Sequence, residues 1–275
     1  MKRTIALTLA LLLALLCIAG CAREENVLRV GMECAYAPYN WTQSTDANGA
    51  VPIHGSNDFA FGYDVMMAKY LADKIGYGLE IHRMDWDSLP PAVLSGAVDA
   101  VIAGMSITAE RQQTLDFTTP YYYASIVCLV RKNSPFASAT GISGFSGASA
   151  TSQLNTVWYD VCLPQIPGVN ILPPMDSAPA MLVALTSGAV DLVVTDMPTA
   201  MAAVMVYPEL VLLDFTDKPD GFVVSDEEIN IGIPVNKGNK ALLDKLNGAL
   251  STLTVEDFER MMNEAISVQP LETQD

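Results

Sequence analysis

Charge is scarce in this 275-residue sequence and positive charge scarcer still: 17% of residues are charged, and 15 Lys and Arg face 31 Asp and Glu, a formal −16. That balance repels a phosphate backbone and argues against a nucleic-acid partner. Histidine is rarer, with His54 and His82 isolated from each other in sequence. Five cysteines form no CxxC and no Cys/His spacing. A zinc site or a cysteine–histidine nucleophile therefore lacks support, and neither metal nor cofactor is expected. Beyond the N-terminus no apolar run is long enough to cross a bilayer, because Asp191 and Asp196 interrupt the best stretch. A hydrophobic content of 51% excludes intrinsic disorder. A chain this long buries one large core or two medium ones, and two is the expectation.

The first twenty residues read as a secretory signal: a basic start at Lys2-Arg3, then an apolar run from Ile5 to Leu16, too short for a spanning helix. Ile18-Ala19-Gly20-Cys21 resembles the bacterial lipobox, in which the cysteine is acylated and becomes the first mature residue. Residues 1–20 are thus expected to be removed. Cys21 is the expected lipidation site, and residues 21–26 a tether to the membrane surface. Cys34, Cys128 and Cys162 remain and read as buried free thiols.

From Val27 onward, β-rich apolar runs alternate with helical stretches. Val27–Val30, Leu79–Met84 and Asp99–Ala103 read as strands. Asp64 offers an N-cap for a helix over Val65–Ile75 that Gly76 stops, and Trp86–Ser95 reads as a short helix ended by Gly96. Strands separated by helices imply right-handed crossovers and mostly parallel sheets. Ser95-Gly96-Ala97-Val98-Asp99 recurs, identical, as Ser187-Gly188-Ala189-Val190-Asp191, each copy between an apolar helical stretch and a strand. Two similarly built α/β lobes explain this echo. In such sheets ligands gather beyond the carboxyl ends of the strands. Those ends fall at Gly104-Met105-Ser106 and Asp196-Met197-Pro198.

Residues 125–131 read as a strand leaving the first lobe and 229–235 as one returning to it, a two-strand hinge. Helices over Lys240–Leu250 and Val255–Ile266 complete that lobe. Residues 132–147 read as surface loop and 40–58 as a polar hairpin with turns at Asn48-Gly49 and His54-Gly55. The expected partition is lobe one over 27–130 plus 231–268 and lobe two over 131–230.

Several segments then carry a resemblance: Gly31-Met32-Glu33-Cys34-Ala35-Tyr36-Ala37-Pro38-Tyr39, Gly62-Tyr63-Asp64-Val65, Asp85-Trp86-Asp87-Ser88-Leu89, and the run Asp99–Thr108 with Glu110-Arg111 and Asp116–Tyr122. Together they resemble the family 3 extracellular solute-binding proteins, the amino-acid receptors of ABC importers. The resemblance implies a two-lobed periplasmic-binding-protein-like fold (type II), α/β in both lobes. It also implies a free polar L-amino acid as ligand (a cationic one where Glu33 and Asp64 put negative charge beside its side chain), an ABC permease with its ATPase as partners, and no catalysis.

A zwitterion taken out of water needs both charges matched. Arg111, just past the first strand end, can hold an α-carboxylate through two parallel hydrogen bonds, helped by the Ser106 hydroxyl and by backbone N–H groups at Gly104 and Ser106. Asp196, at the matching end in lobe two, can take the ammonium or cap the helix starting near Pro198. The resemblance assigns Thr156 to the carboxylate from lobe two. Asn155, however, stands where a glycine is common, and Thr156 is equally readable as an N-cap. Tyr36 and Trp86 are placed to sandwich the ligand side chain, and Glu33 and Asp64 to add negative charge beside it. The expected function is capture of an amino acid by a protein lipid-anchored to the outer face of the bacterial cytoplasmic membrane, in the periplasm where an outer membrane exists. A dehydratase on the same fold and an amino-acid sensor are the alternatives.

Overall fold

The computed structural model describes residues 26–270. The expected signal, Cys21 and most of the tether lie outside the described residues. Two five-stranded sheets dominate, with the same strand order. In lobe one it runs Gly78–Arg83, Val27–Met32, Ala100–Val101, Pro234–Asn236, Leu115–Phe117, and in lobe two Asn170–Ile171, Ser149–Thr151, Leu192–Asp196, Ile126–Arg131, Leu210–Leu213. In each, the first three strands are parallel and the fourth is antiparallel to both neighbours.

That fourth strand is the first to form after the chain crosses from the other lobe. Ile126–Arg131, expected in lobe one, is therefore an internal strand of the second sheet. Its Ile-Val-Cys-Leu-Val run is wholly buried, as a strand covered on both faces requires. The lobes divide instead at a short antiparallel ladder, Tyr122–Tyr123 on Asn230–Ile231. The expected boundary at 130/131 moves back accordingly, and the expected single returning strand is two, interrupted at Gly232-Ile233.

The five-residue echo has one physical role in both places. Gly96 and Gly188 close their helices at φ 75° and 84°, where a side chain would be strained. Asp99 then accepts from the backbone N–H of Arg29 at 2.9 Å and pairs with its guanidinium at 2.7 Å. Asp191 accepts from the backbone N–H of Ser149 at 3.0 Å and lies 3.3 Å from the Arg131 guanidinium. Each aspartate fastens the start of its lobe's third strand to the adjacent second strand.

The helix Tyr63–Ile75 buries Val65, Met67, Ala68, Leu71 and Ala72 on lobe one, ends at Gly76 in the left-handed region, and is covered by helices Lys240–Leu250 and Val255–Val268. Its N-cap is Gly62 and not Asp64, whose buried carboxylate serves other partners. The 40–58 segment is more than a hairpin. Asn40–Gln43 and Val51–Pro52 both pair with Phe59–Phe61, and Ala35–Tyr36 completes a four-stranded sheet. The 132–147 segment carries a helical turn, Ile142–Phe145, with Ile142 and Phe145 buried. Cys34, Cys128 and Cys162 are free and buried, and burial pushes each thiol above its usual range. No helix among the described residues is long and apolar enough to cross a membrane.

Candidate functional site

Between the lobes lies a narrow, nearly closed cleft of about 20 Å³. That is room for about one water molecule, so the two lobes are drawn together over the space. Lobe one lines it with Tyr36, Trp86, Gly104, Ser106 and Arg111, and lobe two with Gln153, Thr156, Val157 and Trp158.

Arg111 opens a helical turn, Arg111–Gln113, a few residues past the strand end. Its guanidinium donates to the Ser106 carbonyl and, across the cleft, to the Asn155 carbonyl, both at 2.8 Å. It lies 5.5 Å from the Trp86 ring centroid. Among the described residues it forms no ion pair. Burial lowers its pKa to about 10, only partly offset by Glu110 and Asp160 at longer range, so the cation persists at neutral pH. A desolvated guanidinium held only by carbonyls and a ring face is a strong anion site.

Asp196 terminates the third strand of lobe two and caps the helix Met197–Val206, one oxygen accepting from the Thr199 N–H at 2.8 Å. The other accepts from the Tyr36 hydroxyl at 2.5 Å, a bond between lobes. Burial raises its pKa, opposed by these hydrogen bonds. It does not line the cleft itself; Tyr36 stands between. Asp196 thus caps its helix with one oxygen and holds Tyr36, which lines the cleft, with the other.

Gly104 is at φ 62°, and a Cβ there would meet the Tyr36 ring at 2.9 Å. Its N–H, expected to face an anion, donates instead to the Tyr121 hydroxyl at 3.2 Å, which donates to Asp64 at 2.7 Å. Asn40 donates to the same carboxylate at 2.8 Å. Asp64 is thus a fully buried brace beneath the cleft floor, outside its lining, with its pKa pushed up to about 7 by burial. Glu33 also lies outside the lining. Its Oε1 accepts from Gln153 Nε2 of the other lobe at 3.1 Å, its Oε2 is buried without a partner, and burial pushes its pKa up to about 7.

Thr156 lines the cleft and also caps. Its hydroxyl donates to the Gln153 carbonyl at 2.7 Å and accepts from the Tyr159 N–H at 3.4 Å. Asn155 sits at φ 54°, which explains why a glycine suits this position and why asparagine serves. Tyr36 stacks on Tyr39 at 4.7 Å, and Trp158 approaches Tyr36 at 6.4 Å. Of the sequence candidates, Tyr36, Trp86, Gly104, Ser106, Arg111 and Thr156 share the cleft. Gln153, Val157 and Trp158 are not among those candidates. Trp158, two residues past Thr156, is the legible one of the three, and nothing marks Gln153 in sequence.

Residues 28–264 match the bacterial extracellular solute-binding proteins, family 3, and the chain belongs to that family. It is 28% identical over 251 residues to ABC transporter arginine-binding protein 1 of Escherichia coli (strain K12), covering 91% of this chain and 93% of that one. It is 29% identical over 235 residues to a probable histidine-binding protein of Neisseria gonorrhoeae, covering 84% and 80%. Among solved structures, an ancestral arginine-binding protein bound to arginine superposes with a TM-score of 0.69 at 31% identity, covering 87% of this chain and 97% of that one.

Proposed function

We propose that this protein captures a cationic L-amino acid, arginine foremost, outside the cytoplasm and delivers it to an ABC permease, held at the membrane by lipid on Cys21. The observation that carries this reading is a pair of buried, oppositely charged groups without ionic partners among the described residues: Arg111 on one wall, and Asp196 one hydroxyl behind the other. A dipolar ligand supplies what each lacks. Its α-carboxylate replaces the Asn155 carbonyl on Arg111, and its ammonium replaces the Tyr36 hydroxyl on Asp196. A ligand bonded to both lobes at once makes more bonds in the closed form than in the open one, so binding favours the closed population.

Two features favour a cationic side chain: the aromatic faces of Tyr36, Trp86 and Trp158, and relatives named for arginine and histidine. No carboxylate is among the lining residues, which favours binding over the acid chemistry of a same-fold dehydratase. Calorimetric titration with a panel of L-amino acids tests the reading. The expected result is a Kd of about 1 μM or tighter for L-arginine and weaker binding of neutral analogues. Preference for a neutral amino acid would overturn the cationic assignment, and silence across the panel would overturn the receptor.

A further inference from the structure

We propose that His54, Glu80 and His82 form a surface site for a divalent transition-metal ion of the zinc class, separate from the cleft. The two histidines are isolated in sequence, and the fold brings them together at the open edge of the first sheet. Glu80 and His82 are two residues apart on the edge strand Gly78–Arg83 and so share a face. The turn after Val51–Pro52 docks on that edge: Ile53 bridges to Ile81, and the His54 N–H donates to the Ile81 carbonyl at 2.7 Å. His54 is thereby fixed beside the pair, with the two imidazole rings 4.5 Å apart at 26°.

The donor atoms converge on one oxygen. His82 Nε2 lies 3.3 Å and His54 Nδ1 3.8 Å from Glu80 Oε2, and one atom from each of the three residues falls within 4.8 Å of the others. Donors about 2.0–2.1 Å from a tetrahedral ion are about 3.4 Å apart, so the two glutamate distances already bracket a coordination shell. The half-exposed His54 ring needs only to turn about its terminal torsion, a soft coordinate, to complete it. Two imidazoles and a carboxylate suit zinc, whereas calcium and magnesium prefer all-oxygen shells. Solvent access leaves a fourth position for water. Among the described residues Glu80 makes no ion pair with Lys or Arg: Arg29 is paired with Asp99 at 2.7 Å and feels Glu80 only at longer range, and Arg83 lies 3.8 Å from Asp58. A bound ion would clip the 51–58 turn to the sheet edge and stabilise the folded state by mass action.

The test is titration of chelator-stripped protein with zinc chloride, read by calorimetry and by Tm, with calcium and magnesium as controls. Expected are one saturable equivalent at micromolar zinc and a Tm rise that EDTA reverses. His54→Ala and His82→Ala should each weaken zinc binding by about tenfold or more. Both variants should keep L-amino-acid binding, which reports an intact fold. Absence of a saturable equivalent below millimolar zinc, equal binding of calcium or magnesium, or wild-type zinc affinity in either variant would overturn the site.

Discussion

The two lobes share a strand order and a fastening aspartate, yet at the corresponding strand ends one has Gly104 and the other Asp196. In lobe one the third strand is only Ala100–Val101, and the chain turns at Gly104 into a loop that delivers Arg111. In lobe two the strand runs straight through Asp196 into a helix that the same residue caps. A glycine gives close approach, here to Tyr36. A capping aspartate gives a fixed charge. Repetition of the scaffold thus placed two ends face to face, and the different residues at and beyond each strand end put a guanidinium in one wall and a carboxylate one hydroxyl behind the cleft.

Removing the cationic wall should have the largest effect. Arg111→Ala should weaken L-arginine binding by about a hundredfold or more, in line with about 3–5 kcal/mol for breaking a buried pair, while circular dichroism stays unchanged. Calorimetry of the variant decides it, and retained affinity would show that the walls are not complementary.

On the opposite wall, Asp196→Asn separates charge from cap, because asparagine caps a helix as well as aspartate does. Affinity should fall by about tenfold to a hundredfold, equivalent to about 1.4–2.7 kcal/mol, while Tm drops far less than in Asp196→Ala. Equal affinity in Asp196→Asn and wild type would leave Asp196 as a cap alone.

The smallest expected effect is on pH dependence. Burial raises Glu33 and Asp64 to about 7, and raises Asp196. A carboxyl whose folded pKa exceeds its unfolded value of about 4 contributes stability that is complete below that value and lost as pH rises through the folded pKa. Tm of the ligand-free protein should therefore fall between about pH 5 and pH 8, and Asp64→Asn should flatten the slope. A Tm that rises over this range would contradict the burial of these acids.

Much of the architecture is legible in the sequence because it is local. Gly96 and Gly188 mark helix ends through backbone conformation alone, and the strands they precede are apolar runs. Arg111, Ser106 and Gly104 are legible for the same reason: they lie just past a strand end, where an α/β sheet places its ligands. Asp64 misleads because a carboxylate next to a helix start reads as a cap. Only the fold reveals Asn40 and Tyr121 waiting beneath the cleft. Ile126–Arg131 misleads as to its lobe because a strand's apolar run does not say which sheet will cover it.

The sequence by itself determined two similar α/β units, their strand ends and a cation and an anion placed at those ends, since periodicity, turn residues and charge are properties of neighbours along the chain. Tertiary structure alone decided that Tyr36 would bridge to Asp196, that Gln153 would reach Glu33, and that His54 and His82 would stack. Each of these joins residues far apart in sequence, and burial or close approach sets its energetics only after the chain has closed on itself.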